Sequence, residues 1–249
     1  MDLGLTGRAA LITGGGRGIG AAIARELARE GCNVALVDLE AFVAADTVAR
    51  GIRASGRRAL AIQADVTSLA AAEATVQAVV GELGRLDILV CNAGITRDAV
   101  VWKMTEAAWD EVLAVNLKGS FAYCRAAAPV FRAQKSGRIV TVASINGLRG
   151  KAGQANYAAS KAGMVALTKT VARELGPAGV TVNCVAPGMV RTGMAELLPP
   201  EIRERAIAET AVGRVAEPED VAGMVAFLCS DRARHLSGTV IKVDGGQYM

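Results

Sequence analysis

The chain has 249 residues, enough for one large α/β domain and short for two. Hydrophobic residues make up 52% and aromatics only 4%, so aliphatic side chains must build the core, as suits a parallel sheet covered by helices on both faces. The 28 basic and 24 acidic residues are intermixed without a basic run, no apolar stretch reaches the ~18 residues of a membrane span, and Met1 to Leu11 lack a signal-peptide pattern, so a cytoplasmic protein with no nucleic-acid and no membrane partner is expected.

Short apolar runs alternate with longer amphipathic stretches. Strands are predicted at Arg8–Thr13, Asn33–Asp38, Arg58–Ala64, Leu86–Cys91, Gly137–Val142, Val180–Val185 and Thr239–Val243. Helices are predicted at Gly18–Glu30, Phe42–Ala54, Leu69–Leu83, Thr105–Gln134, Ala155–Leu175 and Pro218–Ser230. Strand–helix alternation with right-handed crossovers gives a single Rossmann-type doubly wound domain over residues 1–249, with a seven-stranded parallel sheet. Residues 187–218 break the rhythm, interrupted by Pro199 and Pro200, and are expected to form a lid.

The first predicted strand runs into Gly14-Gly15-Gly16-Arg17-Gly18-Ile19-Gly20 and then a helix, with Gly16, Gly18 and Ala21 in G-x-G-x-x-A spacing. A pyrophosphate needs this arrangement: no side chains in the way, free backbone N–H groups and a helix N-terminus facing the anion. No Gly-Lys-Ser/Thr follows, which excludes a Walker loop. Asp38 ends the second strand where an acid would hold the ribose hydroxyls and repel a 2′-phosphate. Arg17 points the other way, since a guanidinium beside the glycines would bind that phosphate. NAD is the expected cofactor, with NADP as the alternative.

His235 is the only histidine, and the five cysteines lie mostly in apolar runs without a C-x-x-C pair. Histidine triads have little material and no metal site is expected. Tyr157 and Lys161 share one face of a predicted helix. An ammonium beside a phenol stabilises the phenolate, which is how a tyrosine exchanges a proton with an alcohol oxygen near neutral pH. Ser144 follows the strand ending at Val142, at the side of the sheet where ligands bind, and its hydroxyl could bond the reacting oxygen.

These residues resemble the short-chain dehydrogenase/reductase family over nearly the whole chain. Thr13 to Gly20 matches its T-G-x-x-x-G-x-G turn, and Asp65-Val66 resembles its adenine-contacting pair. Cys91-Asn92-Ala93-Gly94 resembles its N-N-A-G element, with Cys91 in place of the first Asn. Tyr157-Ala158-Ala159-Ser160-Lys161 resembles its Y-x-x-x-K signature. The resemblance implies a catalytic set of Asn116, Ser144, Tyr157 and Lys161. Asn116 would hold a water in a proton relay, or serve a helix-bending role. Lys161 would also bond the nicotinamide ribose, and Pro187, Gly188 and Thr192 would lie near the carboxamide. A closer resemblance, to 3-oxoacyl-acyl-carrier-protein and acetoacetyl-CoA reductases, rests on Asn92 to Asp98, Gly153 to Tyr157 and Val243 to Gly246. It implies a 3-oxoacyl or 3-hydroxyacyl thioester substrate, carried on CoA or acyl carrier protein. Those enzymes usually prefer NADPH, and Asp38 departs from that pattern. A sugar, polyol, steroid or aromatic alcohol, or a non-catalytic nucleotide-binding role, remains open. A homo-oligomer, a tetramer built through 105–134 and 155–175, is also implied. Arg149 and Lys151 would rim the cleft, as carrier-phosphate contacts or as a solvated loop. The apolar residues Met189, Met194, Leu197 and Leu198 would fold over an acyl chain or pack on the domain.

Overall fold

The computed structural model describes residues 2–193 and 200–249. Seven strands form one parallel sheet: β1 (Ala9–Thr13), β2 (Asn33–Asp38), β3 (Ala59–Gln63), β4 (Ile88–Cys91), β5 (Gly137–Val142), β6 (Val180–Pro187) and β7 (Val240–Val243), in the order β3-β2-β1-β4-β5-β6-β7. The helices that connect or follow them are α1 (Gly18–Arg29), α2 (Phe42–Ala54), α3 (Leu69–Leu83), α4 (Glu106–Leu113), α5 (Gly119–Gln134), α6 (Asn146–Arg149), α7 (Ala155–Leu175), α8 (Pro200–Glu209) and α9 (Pro218–Cys229).

Because β1, β4 and β5 are buried along their whole length, successive residues feed two cores. Ala10, Ile12, Ile88, Val90, Val140 and Val142 pack under α1, α2 and α9. Ala9, Leu11, Leu89 and Ile139 face α3, α5 and α7. This period-two division explains why the strands read as continuous apolar runs.

The chain leaves β1 toward β2 and β3, then returns to place β4 on the other side of β1, with Ile12 opposite Val90. The winding reverses at β1 and β4, and the carboxyl ends of such a pair are where doubly wound sheets take their ligands.

Three features differ from the expected elements. The long helix after Thr105 is interrupted by a π-helical turn at Ala114–Lys118 between α4 and α5. α6 is a single turn too short to leave a periodic trace. Within 187–218, Pro200 opens α8, as proline does readily in a first helical turn. The base of this excursion is closed by the Val190–Ala216 bridge, with the Arg191 N–H donating to the Ala216 carbonyl at 2.8 Å. Met194, Leu197, Leu198 and Pro199 lie outside the described residues.

Candidate active site

The glycine turn bridges β1 and α1 under tight steric limits. Gly14 has φ of +64°, and a Cβ there would meet the Ala93 Cα at 2.9 Å. At Gly20 a Cβ would lie 2.1 Å from the Gly14 carbonyl oxygen, so any side chain would push the turn off the helix. A Cβ on Gly16 would meet the Ala41 carbonyl at 2.6 Å, which keeps the loop after β2 close. Arg17 is the N-cap of α1, but no side chain caps the helix and no acid stands in its first turn of Gly18, Ile19 and Gly20. Their N–H groups are therefore available to an anion, and Arg17 is exposed beside them.

Threonine and asparagine side chains lock this turn to β4. Thr13 Oγ1 accepts the N–H groups of Asn92 and Ala93 at 3.0 and 3.1 Å. Asn92 Nδ2 donates to the carbonyls of Thr13 and Gly14, both at 3.0 Å. Asp38 Oδ2 accepts the Gly16 N–H at 3.1 Å and Oδ1 the Ala41 N–H at 3.0 Å. The carboxylate thus sits against the turn, each oxygen keeping a lone pair. Asp65 closes its own turn by accepting the Thr67 N–H at 2.8 Å, and Val66 packs beside Gly119 at the start of α5. Pro187 ends β6, and its carbonyl accepts the Ile145 N–H at 3.0 Å. Gly188 donates to the Val243 carbonyl at 3.1 Å, and beyond it Thr192 reaches back over Gly18. The residues proposed from sequence for a dinucleotide therefore lie along the carboxyl ends of the strands. The uncapped helix turn and the crowded glycines fit a pyrophosphate.

Asn116, Ser144, Tyr157 and Lys161 gather beside this groove. Lys161, only 3% exposed, donates from Nζ to the Val142 carbonyl at 2.8 Å. Nζ lies 5.6 Å from the centre of the Tyr157 ring, over its face. Burial lowers the Lys161 pKa to about 8, offset only in part by the nearby Cys184 and Cys91 thiols. Gly94 lacks a side chain where a Cβ would stand 3.3 Å from both Lys161 Nζ and Asn116 Oδ1. Burial also pushes the Tyr157 phenol above its ordinary value, while a bond from Ser144 pulls it down and the Asp98 charge adds to the rise. The expected depression of Tyr157 by Lys161 does not appear: desolvation of the phenolate raises the phenol, and the lowering influence comes from Ser144.

Asn116 occupies the π turn and is fully buried. Its Oδ1 accepts the Ile95 N–H at 2.8 Å, and its Nδ2 donates to the Ile95 carbonyl and to Ser160 Oγ at 3.1 and 3.0 Å. Both amide hydrogens are thus engaged in fixing the loop after β4 to α7. Arg149, expected on the rim, is tied to Glu209 of α8 at 3.4 Å and to the Gln247 carbonyl at 3.4 Å, whereas Lys151 is exposed without an ion pair among the described residues.

Other residues that hold the site have no role assigned from sequence. Asn156, fully buried, donates to the carbonyls of Arg97 and Ala108, both at 2.9 Å, while its Oδ1 accepts the Tyr157 N–H at 2.7 Å. Gln154 and Asn146 bond to each other near Ser144. The legible signal was two amides, Gln154 and Asn156, immediately before the tyrosine. Their partners are distant in sequence.

A family model described as enoyl-(acyl carrier protein) reductase matches residues 14–247. The 3-oxoacyl-[acyl-carrier-protein] reductase FabG of Staphylococcus aureus is 44% identical over 242 residues, covering 97% of this chain and 98% of that protein. The 3-oxoacyl-[acyl-carrier-protein] reductase of Synechocystis sp. is 42% identical over 246 residues, covering 98% of each. A short-chain dehydrogenase from Burkholderia cenocepacia, solved in complex with NADP, superposes with a TM-score of 0.92 at 40% identity, covering 98% of each chain. Matched almost from end to end in sequence and in fold, the chain belongs to the short-chain dehydrogenase/reductase family of oxidoreductases, which bind a nicotinamide cofactor.

Proposed function

We propose that the protein interconverts a 3-oxoacyl thioester and the corresponding 3-hydroxyacyl thioester, carried on acyl carrier protein or CoA, with NAD(H) as cofactor. The observation that carries the chemistry is the convergence of Tyr157, Ser144 and Lys161 beside a groove suited to a dinucleotide. The substrate class rests on similarity to proteins named 3-oxoacyl reductases.

A nicotinamide held along the carboxyl ends of the strands would supply the hydride for the carbonyl carbon. Tyr157 gives its phenolic proton to the carbonyl oxygen as charge develops there, and Ser144 bonds the same oxygen. Lys161 stabilises the phenolate that remains. The Tyr157 phenol, held above its ordinary pKa, keeps its proton at neutral pH and is poised as a donor. Asn116 orders the loop at Ile95 and the start of α7. The glycine turn would hold the pyrophosphate, Asp38 the adenosine ribose, Asp65 and Val66 the adenine, and Pro187 to Thr192 the carboxamide. Residues 187–218 act as the lid on a single catalytic domain. Exposed Trp109 and Phe121 on α4 and α5 suit a subunit contact in a homotetramer, testable by sedimentation velocity.

Nicotinamide absorbance should report turnover with acetoacetyl thioesters above free ketones and sugars. A 2-enoyl thioester should give none, which separates carbonyl reduction from the reaction named in the family model. Free ketones outrunning every thioester would end the substrate assignment.

Cofactor choice has its own test. The Asp38 carboxylate beside Gly16 should disfavour a 2′-phosphate by about 1–3 kcal/mol, so Asp38→Ser should raise the NADP/NAD ratio of kcat/KM by about 10-fold or more. Arg17 is the feature that favours the opposite choice, and a wild-type preference for NADPH would show that it outweighs Asp38.

A further inference from the structure

The acid–base set leaves unexplained a chain of side-chain amides that runs beside Ser144. Gln154 is buried, 7% exposed, in the turn that opens α7. Its Nε2 donates to Asp98 Oδ2 at 2.8 Å, and its Oε1 accepts from Asn146 Nδ2 at 3.0 Å. Asn146 Oδ1 accepts in turn from Arg149 Nε at 3.3 Å. The backbone N–H of Asn146 donates to Ser144 Oγ at 3.1 Å. Backbone contact holds the two ends together, since the Ala99 N–H donates to the Gly153 carbonyl at 2.9 Å.

An amide between two neutral partners can turn end for end. These two cannot, because a guanidinium only donates and an ionised carboxylate only accepts. With Arg149 at one end and Asp98 at the other, each amide has one orientation that satisfies both neighbours. All three bonds then run in the same sense, from cation to anion, so their dipoles reinforce one another. The wire reaches Ser144 through the placement of Asn146, whose backbone N–H donates to Ser144 Oγ and leaves the hydroxyl proton for another acceptor.

We propose that Gln154 and Asn146 are positioning residues for Ser144, forming a directed hydrogen-bond wire whose polarity is set by Arg149 and Asp98. This inference rests on the reading of Ser144 and Tyr157 as the acid–base pair. Gln154→Glu tests it, because it sets a second acceptor against Asp98. Displacing Ser144 in this way should lower kcat for acetoacetyl-CoA by at least about 10-fold, with the KM for NADH unchanged. The double variant Asp98→Asn, Gln154→Glu has the charge of the wild type and restores a donor opposite an acceptor. It should recover kcat to within about 3-fold of wild type, because the bond to Asn146 keeps its sense. Gln154→Met, which keeps the bulk without the polarity, should match the loss in Gln154→Glu and guards against a folding artefact in either charged variant. Wild-type kcat in Gln154→Met, or a double variant no better than Gln154→Glu, would overturn the wire. Ser144→Ala, measured alongside, separates the two ideas: if it loses turnover while the Gln154 variants do not, the wire fails and the acid–base pair stands.

Discussion

At the residue scale, desolvation is the first cause of both shifts, raising the Tyr157 phenol and lowering the Lys161 ammonium. Tyr157→Phe deletes the proposed proton donor and keeps the ring. Turnover should fall by about 100-fold or more, while calorimetric titration should show nucleotide binding largely intact. Near wild-type turnover would remove the mechanism. Lys161 allows a second test, on stability. Its pKa of about 8 lies below the 10.5 of an unperturbed lysine. At pH 7 the amine is charged in both states, so the full cost of burying the charge is present. Between those two values the unfolded chain binds the proton and the folded chain does not, so stability rises with pH. Relative to Lys161→Met, the wild-type protein free of nucleotide should gain about 2 kcal/mol between pH 7 and 9.5. Urea unfolding of both proteins at several pH values measures this. A difference that stays constant with pH would mean that the folded protein keeps its lysine charged throughout.

At the element scale, the π turn between α4 and α5 is the feature sequence periodicity does not reveal. Apolar spacing runs on through Ala114–Lys118, and nothing local marks the extra residue. What holds the turn is distant: Asn116 bonds the backbone of Ile95 and the side chain of Ser160. Asn116→Ala would leave the part-buried N–H and carbonyl of Ile95 without their side-chain partner, which should cost about 1–3 kcal/mol in unfolding free energy. If turnover were lost with stability unchanged, the proton-relay role would be the better account. The remaining elements divide on the same physical ground. Strands buried on both faces and helices ended by Gly31, Gly84 or Gly179 are written in local composition, and their order implies the parallel sheet. The glycine turn, Tyr157 and Lys161 stand out in the sequence because their spacing alone suggests the chemistry proposed for them. The clamps made by Thr13, Asn92 and Asn156 were not, because each joins segments dozens of residues apart. Pro199-Pro200 read as an interruption, although Pro200 begins a helix.

For the molecule as a whole, the sheet supplies a rigid floor and the functional differences are loaded onto what crosses its carboxyl edge. Three segments meet there: the loop carrying Ser144, helix α8 and the C-terminal tail. Arg149 joins them, through Glu209 and the Gln247 carbonyl, and Gln247 returns a bond to Glu209 at 3.3 Å and accepts the Met189 N–H at 3.0 Å. The Arg149–Glu209 pair is partly exposed, so its strength should be at most about 1 kcal/mol and screened by salt. A tether that weak can open and close without a large barrier, which suits a lid. It also changes what Arg149 can do, since a guanidinium held by Glu209 and the Gln247 carbonyl is not free to meet the phosphates of a carrier. Lys151, exposed on the same loop, keeps that possibility. The two accounts separate in steady-state kinetics with acetoacetyl-CoA. Arg149→Ala should raise the KM for the thioester by about 3- to 5-fold through loss of the Glu209 tether, with the KM for NADH little changed. It should lower kcat as well, because it removes the cation that directs the Asn146 and Gln154 amides. Glu209→Gln should reproduce the rise in KM with kcat unchanged, because it breaks the same pair from the other side and leaves Arg149 bonded to Asn146. Lys151→Glu should raise the KM only at low ionic strength if the side chain meets carrier phosphates. Should Lys151→Glu exceed both other variants while Glu209→Gln does nothing, the rim acts as a phosphate contact and the tether has no part in substrate binding.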